Sequence, residues 1–137
     1  MGRARDLADK TAVTYATQAA LNALPIRSEY VSPQQTITSG GALTLAHGLG
    51  VRPRIVRAFL VCQTAEQGFS IGDEVPIGDG LISPEASRGF VMRPDTTNIV
   101  IRFGSAANAF VVNNATTGSG AAGLTNANWR LVVRAYA

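Results

Sequence analysis

Few residues of this chain could perform chemistry. Four carboxylates, Asp73, Glu74, Asp79 and Glu85, fall in one Gly- and Pro-rich stretch, GDEVPIGDGLISPE. Carboxylates paired across a cleft can act as acid and base on a glycosidic bond, and clustered oxygen ligands can hold Ca²⁺. The offsets of Gly and Glu do not fit an EF-hand loop, and Asp beside Gly is foremost turn chemistry. The expectation is a set of turns, with a calcium role for Asp73, Glu74 and Asp79 left open and catalysis disfavoured. His47 is the one histidine and lies in a turn, Leu45-Ala46-His47-Gly48. No Ser or Cys motif stands near it. A triad is spatial rather than sequential, so spacing does not exclude one; the expected role is a ring hydrogen-bonded to its own turn. Cys62 is the one cysteine, set among Leu60 and Val61, and is expected to pack as a small buried hydrophobe.

These counts exclude whole classes. One Cys permits neither an internal disulfide framework nor a Cys-rich zinc site, and one His permits no two-histidine metal site within a chain. No Walker loop or Rossmann fingerprint occurs, and Gly78-Asp79-Gly80 completes neither. Asn114-Ala115-Thr116 matches the glycosylation triplet, but no secretory signal accompanies it. The expectation is a protein with no catalytic residues, no metal and no cofactor.

Composition points toward assembly. The chain has 137 residues, 46% of them hydrophobic and only 15% charged, with net charge +3. Soluble domains average about 25% charged residues. The longest uncharged run, 103–129, is broken by Asn, Thr, Ser and Gly and cannot serve as a spanning helix. A surface so poor in charge suits burial against other subunits. Eleven of the twelve basic residues are Arg. They are scattered in sequence, with Arg52, Arg54 and Arg57 the densest group and no nucleic-acid motif around them. Neither nucleic acid nor membrane is an expected partner.

The elements that must position these residues follow from periodicity. Residues 4–24 read as a helical or extended arm, with Leu7, Ala8, Ala12, Ala16, Ala19 and Ala23 offering a small-sided stripe for attachment. Pro25 ends it. The arm is taken as 1–24, an extended linker leading into the first strand as 25–41, and a β-domain as 42–137. In and before that domain, strands are expected at 36–38, 42–46, 54–63, 69–71, 74–77, 89–93, 97–103, 109–112 and 129–136. The strand at 54–63 is apolar on both faces, as in a sandwich centre or an interface. The fold class is therefore all-β: an antiparallel β-sandwich or small barrel of about eight strands. A long loop at 113–128 follows. Asn113, Asn114, Trp129 and Tyr136 are candidates for facing a ligand such as a host-surface glycan, against a core role for Trp129 on the apolar face of its strand.

The stretch 44–77, with HGLG, an apolar strand ending VCQTAE and then GDEV, resembles small virion structural proteins of tailed bacteriophages, as does the ending NWRLVVRAYA. The opening MGRARDLAD is similar to the start of phage fibre-like proteins. The resemblance implies an accessory virion component: a head or tail fibre, a spike, or a capsid decoration protein. It implies a homotrimer held to capsid or tail proteins by its N-terminus and displaying a C-terminal β-domain for host attachment. It carries over no binding residues. The opening also lacks the apolar core of a signal peptide, so synthesis in the host cytoplasm and residence in the virion are expected. The alternative is a lectin-like module that reads a receptor glycan. A polysaccharide hydrolase or lyase is the least favoured reading.

Overall fold

The computed structural model describes residues 20, 23, 28–78, 87–120 and 122–137. From residue 28 onward the described chain is all-β and antiparallel. Its strands are β1 (Glu29–Val31), β2 (Gln35–Thr36), β3 (Ala42–Ala46), β4 (Ile55–Cys62) and β5 (Glu74–Ile77), then β6 (Phe90–Pro94), β7 (Asn98–Phe103), β8 (Val111–Val112), β9 (Ala122–Gly123) and β10 (Trp129–Tyr136). A 3₁₀ turn, Asn126–Asn128, leads into β10.

The major sheet runs β1-β10-β4-β5, with β2 continuing along β10 beyond β1. The minor sheet runs β3-β7-β6, and β8 and β9 form a separate ribbon. The two larger sheets do not join edge to edge, so the domain is an open sandwich rather than a closed barrel. Alternation decides what lies between them. Along β10, Trp129, Leu131, Val133 and Ala135 point inward, and β4 supplies Ala58, Leu60 and Cys62 opposite them. The minor sheet answers with Leu45, Ile99, Ile101, Phe103 and Phe90 in the same core. Phe110 and Leu124 seal it, and Phe110 lies 5.7 Å from Phe90 and 6.1 Å from Phe103 between ring centroids. Each large side chain buried this way contributes about 1.5–3 kcal/mol.

Several expected elements are corrected. Residues 29–36, expected mostly as linker, belong to the major sheet: Tyr30 pairs with Ala135, and Gln35 with Leu131, and the strand expected at 36–38 is Gln35–Thr36 instead. Between β1 and β2 the ladder is carried by Ser32, which is buried. Its N–H donates to the Val133 carbonyl at 2.9 Å, and its Oγ accepts the Val133 N–H at 2.9 Å. The expected strand at 69–71 is instead a turn with one bridge, Glu66 to Phe69, because Gly68 and Gly72 adopt positive φ on either side. The expected loop at 113–128 contains β9, which returns to pair with β8.

Of the arm, Ala20 and Ala23 are described, both helical and exposed. Leu7, Ala8, Ala12, Ala16 and Ala19 lie outside the described residues, as do Asp79 and Glu85.

Candidate functional site

The direction of β10 gives the domain two distinct ends, separated by eight residues or about 26 Å of strand. At one end, the Ser28 and Ala137 backbones exchange two hydrogen bonds of 3.0 Å, and Arg54 N–H donates to the Tyr136 carbonyl. The segment preceding residue 28 joins the domain here. At the other end, beyond Trp129, loops 63–73, 104–108 and 113–128 come together.

Glu66 ties that loop end together. Its carboxylate accepts from Thr125 N–H at 3.0 Å, Thr125 Oγ1 at 2.9 Å, Asn128 Nδ2 at 3.4 Å and Trp129 Nε1 at 2.9 Å. Burial works to raise its pKa; the bonds from Trp129, Thr125 and Asn128 outweigh this and hold the carboxyl below its usual range. A carboxylate with four donors already bound is a brace, not a base. Phe69 meets Trp129 edge to face at 5.4 Å. The outward product of this bracing is an exposed loop surface with Ile71 at its tip, 72% exposed.

The sequence candidates separate. Trp129 is 1% exposed and belongs to the core, so its role as a ligand-facing residue is corrected: its indole N–H is spent on Glu66. Asn114 lies at the loop end, but its Oδ1 caps its own turn by accepting from Thr116 and Thr117 N–H. Asn113 is exposed nearby, whereas Tyr136 sits half-buried at the opposite end. The four therefore form no common site.

Other polar candidates are committed locally. Asp73 Oδ2 accepts from Ser70 N–H at 2.8 Å, and Glu74 pairs with Arg134 at 3.4 Å. No group of three potential metal-ligating side chains occurs among the described residues. His47 is buried, accepts Leu49 N–H at Nδ1, and places Nε2 3.1 Å from the Asp95 carbonyl. That pattern assigns the proton to Nε2 and makes the ring a bracket between two turns. Asp95, which periodicity did not single out, caps the β6–β7 turn with Oδ1. Bonds from Asn98 and Thr97 N–H lower its pKa. Cys62 is fully buried; burial raises its pKa, and the charge of Asp73 adds to the rise. A thiol so placed is a poor nucleophile.

The two outer sheet faces differ in character. That of the major sheet carries Val31, Val132, Ile55, Phe59, Val61 and Pro76 across four strands. Val31 is 50% and Ile55 43% exposed. Arg134 crosses this face, its guanidinium 4.9 Å from the Phe59 centroid on the way to Glu74. Glu29 and Arg57 lie on the same face, two strands apart, and neither has an ion-pair partner among the described residues.

The outer face of the minor sheet is small and basic. Ala42, Thr44 and Ala46 alternate outward on β3, Val100 and Arg102 on β7, and Val91 and Arg93 on β6. At its loop end a groove of about 210 Å³ is lined by Arg88, Val91, Arg102 and the backbone at Gly89 and Gly104. Arg93 and Arg102 are distant in sequence; the β6–β7 register, with Val91 opposite Arg102 and Arg93 opposite Val100, places them on one face.

No family model, no curated protein and no solved structure matches the chain.

Proposed function

We propose that this chain is a non-enzymatic structural component of a tailed-phage virion, a head or tail fibre, spike or capsid decoration protein. It is anchored through its N-terminal arm and displays the β-sandwich. The observation that carries this reading is the polarity of the domain. Its attachment to the preceding segment lies at the Ser28–Ala137 end, and its elaborated loops lie at the opposite end. An anchor and a display surface are thereby separated by the length of β10. The sequence resemblance to small phage virion proteins supports the same reading, as does the commitment of Glu66, Asp73, Asp95 and His47 to structural bonds.

Self-association into a homotrimer belongs to the proposal. The apolar outer face of the major sheet suits another copy of the chain. That face holds both Glu29 and Arg57, which within one chain are separated by β10, so in a three-fold assembly one neighbouring copy can supply the partner of Glu29 and the other that of Arg57. The test is particle incorporation. Full-length protein is expected to co-purify with phage particles from a producing culture. A chain lacking residues 1–24 is expected to stay folded yet be absent from them. Equal incorporation of both would overturn the anchoring role.

The receptor-reading alternative retains one supporting observation, an exposed and mainly apolar groove at the loop end, beside Arg88 and Arg102. It does not retain the site expected from Asn113, Asn114, Trp129 and Tyr136.

A further inference from the structure

We infer that the open edge of β3 takes residues 12–16 from the arm of another copy as an added strand. Phe103 N–H donates to the Gly41 carbonyl and His47 N–H to the Thr97 carbonyl. In this register Gly41, Leu43, Leu45 and His47 spend their backbone bonds on β7. The N–H and C=O groups of Ala42, Thr44 and Ala46 point the other way and have no partner among the described residues. The other edges of the two larger sheets are blocked. The same alternation along β1, β5 and β6 puts Pro33, Pro76 and Pro94 where the backbone faces outward, and a proline has no N–H to offer there. β3, Ala-Leu-Thr-Leu-Ala, carries neither proline nor charge. An edge left in this state is a template for one more strand.

The arm contains the same pattern. Ala12-Val13-Thr14-Tyr15-Ala16 repeats Ala42-Leu43-Thr44-Leu45-Ala46 as alanine, apolar, threonine, apolar, alanine. Residues 12–16 lie outside the described residues, and their sequence carries the match. Set beside β3 with Thr14 opposite Thr44, they extend the row of small outer side chains and pair threonine with threonine. Val13 and Tyr15 then point to the inner side. There Leu43, although inward-facing, is only half-buried, as is Tyr30 of β1. Tyr30 meets His47 at 6.5 Å between ring centroids, so β1 and the β3 edge lie along one seam of the sandwich. The donor is a second copy, because within the single chain Ala42, Thr44 and Ala46 remain exposed. Each copy then gives one strand and receives one, an arrangement that closes around a three-fold axis. This rests on the self-association proposed above and names the segment that links the copies.

The test is amide hydrogen exchange, read by NMR on the full chain. Ala42, Thr44 and Ala46 are expected to exchange about tenfold or more slowly than in T14P, whose proline cannot hold the strand. Leu43 and Leu45 should stay protected in both. D6P, the same lesion ahead of the segment, is expected to leave all of these rates unchanged. In a mixture of isotope-labelled and unlabelled chains, interchain NOEs are expected between Thr14 and Thr44. Exchange at Ala42, Thr44 and Ala46 as fast in the parent as in T14P would overturn the added strand, and so would equal loss in D6P. NOEs within one chain only, or between Thr44 of two copies, would overturn the donor. A chain that sediments as a trimer with these amides exchanging freely loses the added strand alone; a monomer loses self-association as well.

Discussion

At the scale of single residues, Glu66 contributes more to the loop end than any other polar group. Removing its carboxylate leaves the indole N–H of the buried Trp129 without its partner. A buried donor left unpaired costs about 1–3 kcal/mol. E66A is therefore expected to lower stability by about 1–3 kcal/mol, read as a fall in the denaturation midpoint, with the Trp129 fluorescence shifted to the red. The pH dependence has a definite sign. Glu66 and Asp95 both bind their protons less readily in the folded chain than in the unfolded one. Their stabilisation is thus complete above the ordinary carboxylate range and is lost as pH falls through their lowered folded values. The melting temperature should drop on acidification below about pH 4, and E66Q should flatten that drop. A melting temperature insensitive to acid in the parent chain would contradict the brace. None of this was legible in sequence. Glu66 stands in an unremarkable TAEQG stretch, and its partners lie about sixty positions away, brought together only by the pairing of β4 with β10.

At the scale of elements, the ladder around β10 holds the domain together. Its limits, 129–136, follow directly from apolar alternation and agree with the structure. So does the inward set on β7, where Ile99, Ile101 and Phe103 are buried. What alternation could not reveal is non-local. β1 is three residues beside a proline-rich stretch, and only the continuity supplied by Ser32 makes it part of the sheet. β9 is Ala-Gly, without β-branched residues, and is a strand because β8 faces it. S32A should leave the Val133 N–H unpaired, with a loss of about 1–3 kcal/mol. Hydrogen exchange should accelerate at Tyr30, Ser32 and Val133 while β7 stays protected. Uniform acceleration would mean that β1 has no separate role. G104A should force the Ser87 and Gly104 segments apart, with an overpacking cost of about 1–3 kcal/mol, measurable by the same denaturation.

At the scale of the whole molecule, low charge resolves into a particular surface. Two of the large apolar side chains left exposed by the core, Val31 and Ile55, stand on the outer face of the major sheet. V31D with I55R should reduce a homotrimer to monomers in sedimentation without changing the β-sheet circular dichroism, because neither residue packs in the core. A monomeric parent chain would contradict self-association. The scattered arginines also change meaning once folded: Arg93 and Arg102 share the outer face of the minor sheet, a grouping set by register rather than by sequence proximity. The most direct test of the central proposal is a quantitative protein inventory of purified phage particles from a culture producing either the full chain or residues 25–137. The anchored-display account predicts the full chain at a fixed copy number per particle and the folded truncation left in the particle-free fraction. Full chain in the particle-free fraction, or truncation retained on particles, would contradict it.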